Sequence, residues 1–286
     1  MNEIVKMTKY SRRRFFKRAA RELLFSEWIC HILAFVIVGA CFVGINQFGT
    51  GAARLILSVT DNLKLAEVFG MVYFVVSFAV IIPVLYGLLY FEINAVSGNT
   101  DLANLFFAFS KVSALNRAYL LFFYTLGKSL LFYFPALVLW CFMNFYYYNG
   151  IFGSSMSLFG VDIVRTLLSI LEVVLFYFAF VMTSKYYVGL YVSIVRSEKS
   201  ISECFFVAKN CEFMSERELS GTVLSFFPLF VLSLFTMGFL FVMYTLPYEV
   251  ITITEMSKYM FESEMEKKKT LSLMYEEKDK NIENND

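Results

Sequence analysis

Residues 68–90 read VFGMVYFVVSFAVIIPVLYGLLY and contain no charged side chain. An α-helix of this length extends over about 35 Å, at about 1.5 Å per residue. The hydrocarbon core of a bilayer is about 30 Å thick. The stretch therefore predicts a helix that crosses a membrane.

Apolar stretches of the same kind recur along the whole chain. Apolar residues make up 58% of the 286 residues, aromatic residues make up 19%, and the mean hydropathy is +0.63. A soluble domain of this length needs more polar surface. The sequence predicts an all-α, polytopic membrane protein of about six transmembrane helices, with amphipathic cytoplasmic helices between them. Further spans are predicted at about Ile29–Phe48, within Tyr119–Tyr148 (most apolar over Ser129–Tyr148) and at Thr166–Ser184.

The last apolar stretch, from Leu219 to about Met256, has two interpretations. It forms either one span over Thr222–Leu246, or two spans separated by a turn at Met237-Gly238. In the second case the fifth span ends near Thr236 and a sixth runs from Phe239 to about Ser257.

The distribution of positive charge favours six spans. Short cytoplasmic loops retain Lys and Arg, so segments rich in these residues are assigned to the cytoplasm. Twenty of the 25 Lys and Arg residues lie in four segments: 1–28, 92–118, 196–221 and the tail after Ser257. The alternate loops, 49–67 and 149–164, hold only Arg54 and Lys64. The pattern predicts a multi-pass protein of the cell membrane with both termini in the cytoplasm.

Three regions are predicted: a basic cytoplasmic helix over 1–28, a helical membrane domain over 29–261, and a charged, disordered cytoplasmic tail over 262–286. Basic residues close to an anionic leaflet contribute about 1 kcal/mol each to membrane binding. Membrane lipids are therefore the expected partners of the first region, and nucleic acid is not. The candidate headgroup-binding residues are Arg12, Arg13, Arg14, Lys17, Arg18 and Arg21.

Three ionisable residues are candidate functional groups within the membrane. Glu172 lies in the fourth span, Glu249 lies in the sixth span if that span exists, and Lys128 lies at a boundary of the third. Charged side chains are costly in a membrane and often mark a binding or proton-transfer site. The alternative is that they are protonated or paired and serve only helix packing.

Nothing in the sequence predicts catalysis. His31 is the only histidine, no nucleotide-binding or hydrolase motif occurs, and the five cysteines form no CxxC pair. We expect a protein that is not an enzyme and that has no cofactor and no bound metal.

The two predicted cytoplasmic loops between spans resemble each other. Residues 98–118 and 197–221 each begin with a helix-capping residue, and each then carries a Phe pair, Phe106-Phe107 and Phe205-Phe206. Each follows a span that contains a glycine near its end, Gly87 or Gly189. One interpretation is a parallel internal repeat of about 100 residues. The other is a coincidence in a Phe-rich protein.

Three stretches carry a resemblance to a known family: Lys17–Leu24 with Trp28 after it, Phe106–Lys111 before a helix that contains Pro135, and Met237-Gly238 followed by Pro247-Tyr248 and Tyr259. The chain resembles the bacterial multi-pass membrane proteins of the domain of unknown function 975 family. That family is distantly similar to the membrane domain of glycerophosphodiester phosphodiesterases. The resemblance implies a six-helix membrane domain without a known activity.

Three hypotheses for function follow, and the third and least favoured is a membrane enzyme, which would need a polar cluster that converges in space. The first is a non-enzymatic, lipid-interacting protein or an accessory component of a membrane complex, with a partner membrane protein or transporter. The second is a small transporter or permease-like subunit that uses Glu172 and the last helices, which contain proline.

The charge argument predicts where the C-terminus lies. A fluorescent protein fused after Asp286 should fold and fluoresce, and alkaline phosphatase fused there should be inactive, because both remain in the cytoplasm. Fusions within 149–164 should show the opposite pattern. An active phosphatase at the C-terminus would exclude an even number of spans.

Overall fold

The computed structural model is built from helices. It describes residues 7–60, 62–144, 158–211, 214–236 and 238–283, and for 158–165, 268 and 270–283 it describes only the backbone. The α-helices are α1 Lys9–Ser26, α2 Trp28–Thr60, α3 Leu63–Ala95, α4 Phe107–Ser110, α5 Val112–Phe142, α6 Leu158–Thr183, α7 Tyr186–Val195, α8 Ile201–Asn210, α9 Glu216–Leu224, α10 Phe227–Phe235 and α11 Leu246–Glu283. A 3₁₀ helix, Leu102–Phe106, precedes α4, and a π-helical turn, Phe241–Thr245, precedes α11.

Five helical stretches of the described chain are long and apolar enough to cross a membrane, which confirms the predicted all-α class of helical membrane protein. Their apolar side chains point outward as well as inward. Phe74 is 64% exposed, Leu131 is 70% exposed and Val173 is 67% exposed. Large apolar surfaces of this kind mark contact with lipid or with another protein. The five stretches are Trp28–Thr60, Leu63–Ala95, Val112–Phe142, Thr166–Val195 and Glu216–Phe235.

The first two spans are longer than the sequence predicted. The predicted loop 49–67 is mostly helical, since α2 continues to Thr60 and α3 begins at Leu63. Each of these helices has 33 residues, or about 50 Å, which exceeds the hydrocarbon thickness of about 30 Å. Hydropathy marks the apolar part of a helix, and it does not define where the helix begins or ends.

The predicted sixth span, 239–257, is divided between the π-helical turn and the first part of α11, and it is not among the five stretches. Gly238, with a φ of +82°, lies at the turn that the sequence predicted before this segment. Met237 lies outside the described residues. The sixth span stays a prediction from the charge distribution.

The tail was predicted to be disordered after residue 261, but in the structure α11 continues as one helix to Glu283. The segment interleaves Glu with Lys, and both residues are good helix formers. Oppositely charged residues four positions apart add a little to that stability. The last three residues lie outside the described part of the chain.

The largest core cluster joins helices from both ends of the chain. We call this region the basic end: it is the end of the bundle where α2 begins and α3 ends, with α1, α8 and the first half of α11 packed there. Buried apolar side chains from six helices meet in it. They include Phe16 of α1, Ile93 of α3, Leu121 of α5, Val192 of α7, Ala208 of α8 and Met260 of α11.

Both connecting segments of the proposed repeat fold back onto the glycine of the preceding span. The main chain of Leu105 rests on Gly87, and the ring of Phe205 rests on Gly189. Each glycine permits an approach that a Cβ would prevent. The Phe pairs themselves are not equivalent, because the first segment starts as a 3₁₀ helix and presents Leu105 where the second presents Phe205.

The glycine contacts predict unequal effects of alanine. In G87A the new Cβ would lie 1.7 Å from the carbonyl oxygen of Leu105, which is backbone and cannot rotate away. We expect a loss of about 1–3 kcal/mol or more in the free energy of unfolding. The measurement is unfolding in mixed micelles followed by circular dichroism.

G70A is the matched control for this experiment, because Gly70 lies in the same helix with nothing within 4 Å of its would-be Cβ. Its stability should be unchanged, or raised by up to about 1 kcal/mol through helix propensity. Equal stabilities of G87A and G70A would mean that the Leu105 main chain does not pack on α3.

Candidate functional site at the basic end of the bundle

Helix α1 has a defined start and a defined end. The Thr8 side chain accepts a hydrogen bond from the Ser11 N–H, which is the usual role of an N-cap residue. The helix ends at Ser26, and the N–H of its C-cap residue, Glu27, donates to the Leu23 carbonyl before α2 begins at Trp28. One stripe of α1 is buried: Phe16, Ala20 and Leu24.

An ion pair fixes this buried stripe at its N-terminal end. The Arg12 guanidinium donates through Nε and Nη2 to the two carboxylate oxygens of Glu218, each at 2.9 Å. The Glu218 side chain is 1% exposed and that of Arg12 is 12% exposed. A bidentate pair in such a site holds α1 against α9 with defined geometry.

Lys17 makes the second attachment. Its ammonium lies 4.0 Å from the centre of the Phe226 ring and donates to the Ser225 carbonyl at 3.3 Å. The Tyr248 hydroxyl of α11 donates to the Lys17 carbonyl at 3.0 Å. Burial lowers the pKa of Lys17, and the nearby Glu249 carboxylate opposes that shift.

Arg13 also turns towards the protein. Its Nη2 lies 3.5 Å from the Arg217 carbonyl, and a Cβ at Gly221 would lie 2.4 Å from it. Three of the six predicted headgroup residues, Arg12, Arg13 and Lys17, are therefore occupied in joining α1 to the membrane domain.

The other three predicted headgroup residues share the opposite side of α1. Arg14, Arg18 and Arg21 are exposed and follow each other at four and three positions, which places them on one face. We call these three residues the outer stripe. Tyr10 and Phe25, 68% and 62% exposed, continue the same face at its two ends. Arg18 bonds Glu22 at 2.9 Å, but that pair is open to solvent and contributes little.

A buried His–Glu pair joins the first two spans. His31 Nδ1 lies 3.1 Å and 3.3 Å from the two carboxylate oxygens of Glu92, and both side chains are fully buried. His31 Nε2 is also buried and has no hydrogen-bond partner among the described residues. The sequence interpretation missed this pair because it counted Glu92 as a loop residue. The positions of the two residues could have indicated the pair, because His31 lies at the start of the first span and Glu92 lies at the end of the antiparallel second span.

A pair of hydroxyl groups joins α7 to α11. The Tyr187 hydroxyl of α7 and the Thr254 hydroxyl of α11 are 2.9 Å apart. Polar contacts thus join α2 to α3 and α7 to α11.

Arg117 is a structural residue that the sequence showed only as one more positive charge. Its guanidinium donates to four backbone carbonyls at the end of α7 or just after it, at distances from 2.7 to 3.2 Å. These are the carbonyls of Ser193, Arg196, Ser197 and Lys199. Because the last carbonyls of a helix lack intrahelical partners, Arg117 satisfies them and ties α5 to α7.

The structure does not bring together the three predicted intramembrane residues. Glu172 is partly exposed on α6, and Lys128 is exposed on α5 with its ammonium 5.7 Å from the Tyr124 ring centre. The ion pairs of the described residues include neither of them. Glu249 is 8% exposed, in the first turn of α11 near Lys17.

Within the described part of the chain, no three His, Cys, Asp or Glu side chains are grouped so that they could hold a metal ion. No protein-family model matches the chain, and no curated protein or solved structure matches it. The resemblance to the 975 family therefore stays an expectation.

The two sides of α1 predict different mutational effects. R12Q leaves the buried Glu218 carboxylate without its partner, and breaking a buried pair in this way costs about 3–5 kcal/mol of stability. R18Q, on the outer stripe, should cost less than about 1 kcal/mol. Unfolding in mixed micelles measures both variants against the native protein.

The double variant R12Q/E218Q distinguishes the ion pair from a general packing defect. It should recover part of the loss, because no unpaired charge remains buried. An R12Q protein as stable as R18Q would show that α1 is not held by this pair.

Proposed function

We propose that this protein is a non-enzymatic, multi-pass protein of the cell membrane that binds anionic lipid headgroups through the outer stripe of α1. In this proposal both termini lie in the cytoplasm, and the protein serves as an accessory component of a membrane complex. The single observation that carries the lipid-binding role is the division of the basic residues of α1 into a face that bonds the rest of the protein and a face that is exposed to solvent.

The division matters because a basic helix has two different uses. A helix whose cations all point into the protein holds the fold, and one whose cations all face outward needs a membrane or a partner to order it. Here Arg12 and Lys17 already fix the helix at the basic end, so the backbone that carries Arg14, Arg18 and Arg21 is ordered before any lipid arrives. Such preorganisation lowers the entropic cost of binding.

The surroundings of the stripe support a membrane-surface position. Phe25 and Trp28, 62% and 53% exposed, lie where α1 ends and the first span begins. Aromatic residues are enriched at the headgroup level of membranes. The order along the chain is therefore basic, then aromatic, then apolar, as expected for a helix that lies at the interface before a span.

A small permease-like subunit is the second candidate. The last helices are interrupted at three places: between α9 and α10, at Gly238, and by the π-helical turn Phe241–Thr245. Broken helices of this kind often surround transport sites. This candidate has weaker support, because Glu172 and Lys128 form no common site.

The native tryptophans allow a direct test of lipid binding at the stripe. The chain has two, Trp28 beside α1 and Trp140 near the other end of α5. In W140F, quenching of Trp28 by brominated phosphatidylglycerol should exceed quenching by brominated phosphatidylcholine. R14Q/R18Q/R21Q in that background should reduce this preference by up to about fivefold per charge removed.

The control is W28F, which leaves only Trp140. In that background R14Q/R18Q/R21Q should not change the relative quenching of Trp140 by the two brominated lipids. The preference at Trp28 should also fall as ionic strength rises, since screening weakens surface electrostatics. If the triple variant keeps the full preference at Trp28, the stripe is not a lipid-binding surface.

A further inference from the structure

A cleft of about 840 Å³ opens at the basic end, and no residue of α1 lines it. It lies between α3, the start of α4, the first half of α5 and the segment 197–202, which includes the start of α8. These elements belong to the two halves of the proposed repeat, so the cleft forms only where the halves meet. None of the predicted functional residues lines it.

One wall of the cleft is polar and positive. Lys111, Arg117 and four serines line it: Ser113, Ser197, Ser200 and Ser202. Its lining contains no Asp or Glu. Arg117 already donates to backbone carbonyls, whereas Lys111 forms none of the ion pairs of the described residues. Lys111 is exposed and is therefore the cation available to a ligand.

The other wall is apolar and reaches the side of the bundle. Tyr86, Phe107 and Tyr124 form its inner part, and Leu120 and Phe123 form its outer part. The outer pair is 54% and 61% exposed on one of the membrane-spanning helices. The apolar wall is therefore continuous with a helix surface that faces lipid.

We propose that this cleft binds one anionic phospholipid. The phosphate lies against Lys111 and the serine hydroxyls, and an acyl chain follows Leu120 and Phe123. The charge of the lining selects an anionic head, and its lateral opening selects a membrane lipid over a soluble molecule. Basic pockets between membrane helices recognise lipid headgroups in this way. The inference extends the proposed lipid interaction from a surface stripe to a defined site, and it rests on different residues.

A tryptophan introduced at position 123 reports on the cleft alone. In W28F/W140F/F123W, brominated phosphatidylglycerol should quench the fluorescence of the introduced tryptophan more strongly than brominated phosphatidylcholine does. K111Q should reduce that preference by about fivefold, as expected for the loss of one positive charge near a headgroup. K64Q, a lysine at the far end of α3, should leave it unchanged.

Two further measurements separate the alternatives. Soluble glycerol phosphate at millimolar concentration should not abolish the preference for phosphatidylglycerol that is measured at position 123. If it does abolish that preference, the site binds a free phosphate compound and the lipid proposal fails. R14Q/R18Q/R21Q should leave the preference at position 123 intact, so failure of the outer stripe does not imply failure of the cleft. An undiminished preference in K111Q would overturn the cleft proposal even if the stripe binds lipid.

Discussion

The ion pair between Arg12 and Glu218 joins residues 206 positions apart and closes the basic end of the bundle. Helix α1 lies outside the five membrane stretches. Its buried stripe belongs to core clusters that include residues of α9 and α11, and the ion pair adds a direct link to α9. Because Glu218 is almost fully buried, the pair is also costly to break. The position of the outer stripe depends on this contact.

Helix α1 thus attaches to the rest of the protein with one face and presents cations to solvent with the other. The two sets of basic residues lie on different faces because an α-helix has 3.6 residues per turn. Arg12 and Lys17 project towards the protein, and Arg14 and Arg18 project away from it. A membrane protein gains from this arrangement because a helix backbone that is already ordered loses less conformational entropy when its cations bind a headgroup. Lys111 is the N-cap residue of α5, the helix that Arg117 ties to α7. Both proposed lipid sites therefore combine an exposed cation with a neighbouring cation that is committed to the fold.

Hydropathy and charge predicted the helical class and the approximate spans, but they predicted the site only in part. Glu92 was assigned to a loop because it follows an apolar run, although α3 continues to Ala95 and buries it against His31. Arg117 gave no sign of its role, since the carbonyls it contacts carry no side-chain signature. The glycines were more informative: Gly87 and Gly189 were identified as repeat markers, and each proves to be a point of close packing.

The sequence alone determined that this chain forms apolar helices of membrane length and concentrates its basic residues in alternate segments. Those properties are local, because hydropathy and helix propensity depend on residues within a few turns of one another. Only the tertiary structure decided which charges are used internally. Arg12 and Arg14 are equivalent in sequence, yet one bonds Glu218 and the other is exposed. The difference depends on how α1 is rotated against α9 and α11, and that rotation is fixed by residues two hundred positions away.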